Sequence, residues 1–413
     1  MLTDIIHKSL DDDIVEFYLR LYLLLYADDT LILAESPSEL QAALDSMQTY
    51  CENWDLMVNT DKTKVCISSK SREKSANFLF NSKPIEVVKS FTYLGVVFSY
   101  NSNFKCNTDY LLHQGQRAKF SLLQKVRHLS LSPSISYDLF LKSVVPVLLY
   151  GCEVWGFNSF QTIEVLHLSF LKSILNVRKS TANCMVYGEL GAFPLNISCK
   201  SRMVTFWHKL HTDRSDKLSG LIYRVLRQLY LKNCNLPWLK FVQATLNNCG
   251  LSYIWDTPSV CSTRQLNVLL KSSLEDQFKQ MWFGEIDQKS CCSMYCSVKL
   301  IFSRESYFNY LPNRFSRILC QLRLRNIRFP VVKAMFNKVQ SNHCTLCSLD
   351  VVGDEYHYIL ECPFFHNERA HLLPLYFVFN PNRFKLSLLL NCNCPSILID
   401  LAKFCTILSR SFK

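Results

Sequence analysis

A chain of 413 residues can bury a sizeable core and carry two or three domains. Its hydrophobic content of 49% excludes a disordered protein, and only 10 glycines favour helices with a little sheet. Lysine and arginine (46) exceed aspartate and glutamate (34), and the net charge of +12 points to a polyanionic partner, nucleic acid first.

The 19 cysteines are odd in number and follow no regular framework. Met1–Lys8 carries charge but no sustained apolar stretch ahead of Asp11-Asp12-Asp13, so no secretory signal is read. Together these predict a reducing, intracellular setting, cytoplasm and nucleus, with most thiols acting as small hydrophobes. No membrane is expected as a partner, because Leu21–Leu25 is cut short by Asp28 and Asp29.

Two short apolar runs, Leu21–Leu25 and Thr30–Ala34, have the length of strands. Between them stands Tyr26-Ala27-Asp28-Asp29. The pattern predicts a buried β-hairpin whose turn starts at the aspartates, Tyr26 and Ala27 being poor turn formers. Two carboxylates on a rigid turn are how a protein holds a hard divalent cation such as Mg²⁺ beside a phosphate substrate. Aspartate is equally an ordinary hairpin-turn residue, because its side chain bonds nearby backbone.

A helix follows. Ser36 reads as its N-cap, Pro37 as its first residue and Glu39 as the capping-box partner. Leu40, Ala43, Leu44, Met47, Tyr50, Cys51 and Trp54 then recur at helical spacing. The loop Asn59–Lys64 brings Lys62 and Lys64 into the next strand. Strands are expected at Val65–Ser68, Phe78–Phe80, Ile85–Val88 and Phe91–Ser99. Beyond Asp109 the pattern is helical. Leu111, Leu112, Ala118, Leu122 and Val126 form a stripe flanked by Arg117, Lys119, Lys125 and Arg127. Further helices are read at Tyr137–Trp155, with Pro146 as a break, and at Ile163–Val177. Helices at Ser201–Leu210, Leu218–Leu231, Leu236–Leu246 and Leu266–Phe283 complete this part. The fold class is α+β, with expected divisions 1–103, 104–180, 181–313 and 314–413.

The last division opens on a basic segment, Arg314, Arg317, Arg323, Arg325 and Arg328, with leucines between. Cys344 and Cys347 follow as a C-x2-C knuckle, then His357 and Cys362. Two thiolates on a tight turn, a histidine and a third thiolate can close a tetrahedron around structural Zn²⁺. In a chain so rich in cysteine the same spacing can also arise by chance. His343, His366 and His371 read as surface or core residues, and Cys291, Cys292, Cys296, Cys392 and Cys394 as unligated.

These motifs resemble, in order, those of reverse transcriptases of non-LTR (LINE-like) retrotransposons. Tyr26-Ala27-Asp28-Asp29 resembles the active-site hairpin. Trp54–Asn59 with Lys62-Thr63-Lys64 resembles the block after it, and Phe91–Val96 the primer-grip hairpin. Tyr150–Trp155 resembles the end of the thumb, and Cys344, Cys347, His357 and Cys362, with Pro363, the carboxy-terminal cysteine–histidine motif. The resemblance implies a partial polymerase palm, a helical thumb and a small zinc knuckle, with an RNA template and a DNA primer or target as partners. It implies Asp28 and Asp29 as Mg²⁺ ligands and Lys62 or Lys64 as a proton donor to the leaving group, unless these are surface lysines. Tyr26 would lie beside primer or template, or else be a buried aromatic. Tyr93 and Gly95 would shape the primer turn, or be core. Arg117, Lys119, Arg323, Arg325 and Arg328 would contact phosphates.

In that family a further aspartate comes from a strand well upstream of the hairpin, with the fingers also upstream. Only twenty-five residues precede Tyr26 here. Met1–Leu19 resembles the tail of a helix, and Asp11–Asp13 read as solvated charges. The chain is therefore expected to be the carboxy-terminal part of a larger polyprotein, inactive as a polymerase alone, with the upstream half as a possible partner. The competing readings are a non-enzymatic nucleic-acid binder and a helical interaction protein.

Overall fold

The computed structural model describes residues 23–68, 77–101, 103–157, 160–213, 217–336 and 341–412. The amino-terminal helix tail and Asp11–Asp13 lie outside them. The chain divides into two compact units, each assembled from separated stretches. One contains Met1–Leu111, Tyr150–Ser159 and Cys199–Leu270, and the other Leu112–Leu149, Phe160–Ser198 and Lys271–Lys413. The α+β expectation holds: short strands precede a helical remainder.

In the first unit, β1 (Leu23–Tyr26) and β2 (Asp29–Ile32) pair antiparallel, with Tyr26 opposite Asp29. Helix α1 (Pro37–Asn53) starts as the sequence requires. Ser36 Oγ accepts from the Glu39 amide at 3.2 Å, and Glu39 Oε2 accepts from the Glu35 amide at 2.9 Å. Its Leu44 and Cys51 pack with Val65, Phe78, Phe80 and Ile85, and Ile32, Leu40 and Met47 join from the edge. Tyr50 and Trp54 do not follow their stripe inward. The helix stops at Asn53, Asp55 turns the chain at φ +51°, and both rings stay exposed.

The core sheet has the order β3 (Lys64–Cys66), β5 (Lys83–Val88), β4 (Phe78–Phe80). β3 runs parallel to β5 and β4 antiparallel to it. The run expected as one strand at Phe91–Ser99 is a hairpin of β6 (Ser90–Tyr93) and β7 (Val96–Ser99). Its two turn residues, Leu94 and Gly95, have φ of +47° and +78°, which is the geometry of a tight hairpin turn. Buried Asn107 of α2 (Lys105–His128) ties β7 down by accepting from the Val97 amide at 3.0 Å. The Tyr150 hydroxyl donates to the Leu94 carbonyl at 3.0 Å. The helical part of this unit closes on Trp207 and Trp255, stacked 5.1 Å apart.

The second unit is helical. The segment expected as one helix at Tyr137–Trp155 is broken at Val144–Pro146 and again at Gly151, giving Pro133–Ser143 and Val145–Leu148 in this unit and Cys152–Trp155 in the first. Pro146 cannot donate into a preceding helix and instead occupies the first turn of the next. Phe140 stacks on Phe170, and Trp282, Phe278, Phe193 and Phe302 form a second aromatic cluster. Among the described residues no single helix is long and apolar enough to cross a membrane.

The Leu94-Gly95 turn makes a local prediction. A Cβ on Gly95 would sit 3.0 Å from Tyr150 Cε1 at a left-handed φ. Gly95→Ala should cost about 1–2 kcal/mol, seen as a lower urea midpoint by circular dichroism; an unchanged midpoint would show the turn to be unconstrained.

Candidate active-site hairpin and metal cluster

Because Tyr26 pairs with Asp29, the turn consists of Ala27 and Asp28. It starts one residue earlier than the sequence suggests, and Ala27 takes the left-handed conformation at φ +53°. Asp29 is thus the first residue of β2 rather than part of the turn. Side chains alternate along a strand, so Asp29 and Ile32 lie on opposite faces. Ile32 meets the core, which sends Asp29 outward. The hairpin is exposed, not buried as expected: Tyr26 is 62% and Leu25 66% accessible. The ribbon has only two strands, and its contact with the core comes through Ile32. Among the described residues Asp28 and Asp29 make no ion pair, and no third acid, cysteine or histidine joins them in a metal-like group.

Neither lysine is brought to these carboxylates by a hydrogen bond or ion pair among the described residues. Lys64 opens β3, and its Nζ lies 2.6 Å from Glu86 Oε2 on the paired strand. Lys62 is exposed, at the end of a turn folded on Asn59. Gly95 lies in a tight hairpin turn, and the residue that braces it, Tyr150, is not among those the motifs linked to it. Arg117 is exposed on α2, whereas Lys119 is half-buried and donates to Ser169 Oγ at 2.8 Å. Burial lowers the pKa of Lys119.

The basic segment divides, and two of its expected phosphate contacts are corrected. Arg323 closes the helix Asn313–Arg323 and is 2% exposed. Its Nε lies 2.7 Å from Oε1 of fully buried Glu189, its Nη2 lies 3.0 Å from Glu305, and the Tyr307 hydroxyl donates to Glu189 at 2.5 Å. Burial opposes the Arg323 charge, but Glu189 and Glu305 outweigh it and hold the guanidinium protonated. Lys299 pairs with Glu305 in the same network. Arg325, at φ +53°, is buried against Glu355, with Nε 3.0 Å from Oε1. These two arginines have carboxylate partners inside the protein and no free face for a phosphate. Arg328 is exposed, as a phosphate contact requires.

Glu355 leads into the cysteine–histidine cluster. The knuckle is pinched where His343 bridges Val352 and the Cys344 amide donates to the Val351 carbonyl at 2.7 Å. The Leu346 amide points at Cys344 Sγ, 3.4 Å away. His357 begins a wide turn, His357–Glu361, closed by the Cys362 amide on the His357 carbonyl at 2.7 Å. Buried Arg369 clamps that turn by donating to the carbonyls of Ile359 (2.8 Å) and Cys362 (2.9 Å). All four ligand atoms lie within 4.8 Å of one another; Cys344 and Cys362 sulfurs are 4.0 Å apart, and Cys347 Sγ is 3.5 Å from His357 Nε2. This is the group the spacing selected. His343 pairs with Asp350 instead.

The first unit thus carries an outward aspartate pair on a two-residue turn and a second braced hairpin, and the second unit a Cys3His cluster behind a basic helix. The family model for reverse transcriptase (RNA-dependent DNA polymerase) matches residues 1–98. A putative uncharacterized transposon-derived protein of Caenorhabditis elegans is 25% identical over 159 residues, covering 37% of this chain and 56% of that protein. The RNA-directed DNA polymerase from mobile element jockey of Drosophila melanogaster is 25% identical over 160 residues, 36% of this chain and 17% of that protein. No solved structure matches. Residues 1–98 are thus similar to reverse transcriptases and the chain to transposon-derived proteins, and it spans about half of one curated relative and a sixth of the other.

The split among the arginines is measurable. Arg323→Ala strands Glu189 in the core and should cost about 3–5 kcal/mol. Arg328→Ala should stay within about 0.5 kcal/mol of the unsubstituted protein. Thermal unfolding of both variants distinguishes the two roles, and equal stability would refute the burial argument.

Proposed function

We propose that this chain supplies Asp28 and Asp29 to the metal-binding end of a reverse-transcriptase active site, acting on an RNA template and a DNA primer. The outward aspartates at a two-residue turn carry the reading. Among the described residues no base forms an ion pair with either, and Ile32 fixes the ribbon so that Asp29 faces away from the core. Magnesium held there would lower the pKa of a primer hydroxyl and offset the charge on the departing pyrophosphate. Asp28, at the tip, is the ligand we assign first, with Asp29 beside it. Of the two lysines Lys62 is the better proton donor to the leaving group, since Lys64 is engaged by Glu86. Tyr26 stands exposed at the end of β1, available to a nucleic-acid strand. The Leu94-Gly95 turn, braced by Tyr150, would support the primer.

The same proposal gives the Cys3His cluster to structural Zn²⁺. Bonds of about 2.3 Å to sulfur and 2.0 Å to nitrogen imply tetrahedral edges of roughly 3.8 Å between sulfurs and 3.6 Å from sulfur to nitrogen. The observed 4.0 and 3.5 Å fit. His357 Nδ1 is buried without a hydrogen bond, and Glu361 Oε2 lies 3.8 Å from it. A carboxylate there is what orients a ligating imidazole. Four protein ligands leave no open position, so the ion would hold the knuckle rather than react. None of the 19 cysteines forms a disulfide, which suits the intracellular setting, cytoplasm and nucleus, that we assign.

Two measurements test this. Elemental analysis should find one zinc per chain, lost in Cys347→Ser; a metal-free, fully folded protein would remove the zinc assignment. Two ions sharing phosphate oxygens need more carboxylates than Asp28 and Asp29. The isolated chain should therefore give no primer extension with Mg²⁺ or Mn²⁺. Extension should appear when a polypeptide supplying a further metal-binding carboxylate is added, and fall at least about 100-fold in Asp28→Asn. Undiminished synthesis by that variant would end the catalytic reading.

A further inference from the structure

The helix Asn313–Arg323 packs against the helix Pro395–Ser411, and a groove of about 640 Å³ runs along their outer faces. The first helix turns Phe315, Leu319 and Leu322 inward, which leaves Arg314 and Arg317 at its rim. The second buries Leu401, Phe404, Cys405 and Leu408 and presents Lys403 and Arg410. Among the described residues, four cations therefore line the groove and no carboxylate does. Lys403 is partly offset by Asp400, 2.8 Å away on the same helix. Arg314 lies 4.4 Å over the Phe315 ring, which steadies its guanidinium. Arg314 and Arg410 are exposed, and neither makes a salt bridge among the described residues.

Arg317 is the informative member. It is half-buried, and its Nε is shut off from solvent with no hydrogen-bond partner among the described residues. Burial lowers its pKa, and no acid opposes the shift. Six residues on, in the same helix, Arg323 solves the same problem with two carboxylates. A desolvated guanidinium without an acid is costly to keep, and an external anion relieves that cost. Arginine forks suit phosphate oxygens in particular.

We propose that this groove binds the phosphodiester backbone of a nucleic-acid strand, with Arg314, Arg317 and Arg410 as phosphate contacts. Two rows of cations spaced along paired helices, rather than one enclosed pocket, match a linear polyanion better than a single phosphate. At 1.5 Å per residue, Arg314 and Arg317 are about 4.5 Å apart along the axis, and Lys403 and Arg410 about 10.5 Å. The inference rests on the reading of this chain as a nucleic-acid-handling protein, but not on any chemistry at Asp28 and Asp29.

The test is binding of the full chain to a labelled single-stranded RNA, titrated against salt. Each single-strand phosphate contact contributes about 0.7 to the slope of log affinity on log salt. Replacing Arg314, Arg317 and Arg410 together by alanine should reduce that slope by about 2. The corresponding triple lysine variant should keep it, and Lys271→Ala with Lys279→Ala, elsewhere on the same unit, should leave it unchanged. If the triple alanine variant does not fold, the exposed single reversals Arg314→Glu and Arg410→Glu should each weaken binding. A folded variant with the original slope overturns the groove while leaving the chain a nucleic-acid binder. No binding by the unsubstituted protein overturns both. Displacement of the RNA by orthophosphate beyond its ionic-strength effect would make this a free-phosphate site and overturn the proposal.

Discussion

A guanidinium cannot be taken out of water without an acid to meet it, and the second unit is organised by that constraint. Arg323 draws Glu189, Glu305, Tyr307 and Lys299 around itself, joining helices that are far apart in sequence. Arg325 does the same with Glu355 and so holds the approach to the knuckle. Once Arg323 faces inward, helical periodicity sends Arg314 and Arg317 to the other side of the same short helix. The segment therefore mixes buried, acid-paired arginines with outward-facing ones, and only geometry separates them.

That division marks the limit of what could be read from the chain. The hairpin, the capped helix after it and the cysteine–histidine cluster were all legible, because each is specified by neighbours within about twenty residues. Ser36 and Glu39 announce their helix; Cys344, Cys347, His357 and Cys362 carry their own spacing. The burial of Arg323 was not legible, because its partner Glu189 lies 134 residues away. Arginines alternating with leucines look alike whether their acids are absent or folded beneath them. Tyr150 under the Leu94-Gly95 turn was hidden by the same distance, 56 residues. The outward Asp29 was obscured differently. Apolar runs on both sides suggested enclosure, but among the described residues of the ribbon Ile32 alone packs against the core cluster.

The two metal-type sites differ in how their charge is managed. At the knuckle, backbone amides, Arg369 and the pinched ends hold three sulfurs and an imidazole close together, so the ligands are arranged in advance. At the hairpin the carboxylates are presented but not surrounded. On the proposed reading, an ion at the knuckle would be held by a finished shell, whereas an ion at the hairpin would be shared with substrate, so the protein's part of that shell would be incomplete.

The β1–β2 ribbon carries a further consequence. Its backbone has two outer margins, and among the described residues neither is met by another strand. Leu25 and Tyr26 expose apolar surface beside those unsatisfied amides and carbonyls. Open strand margins with apolar flanks are adhesive, and an isolated pair of strands is barely stable in water. Concentrated solutions of the purified chain will tend to zip together through this ribbon, and their solubility will depend on whatever strand completes it.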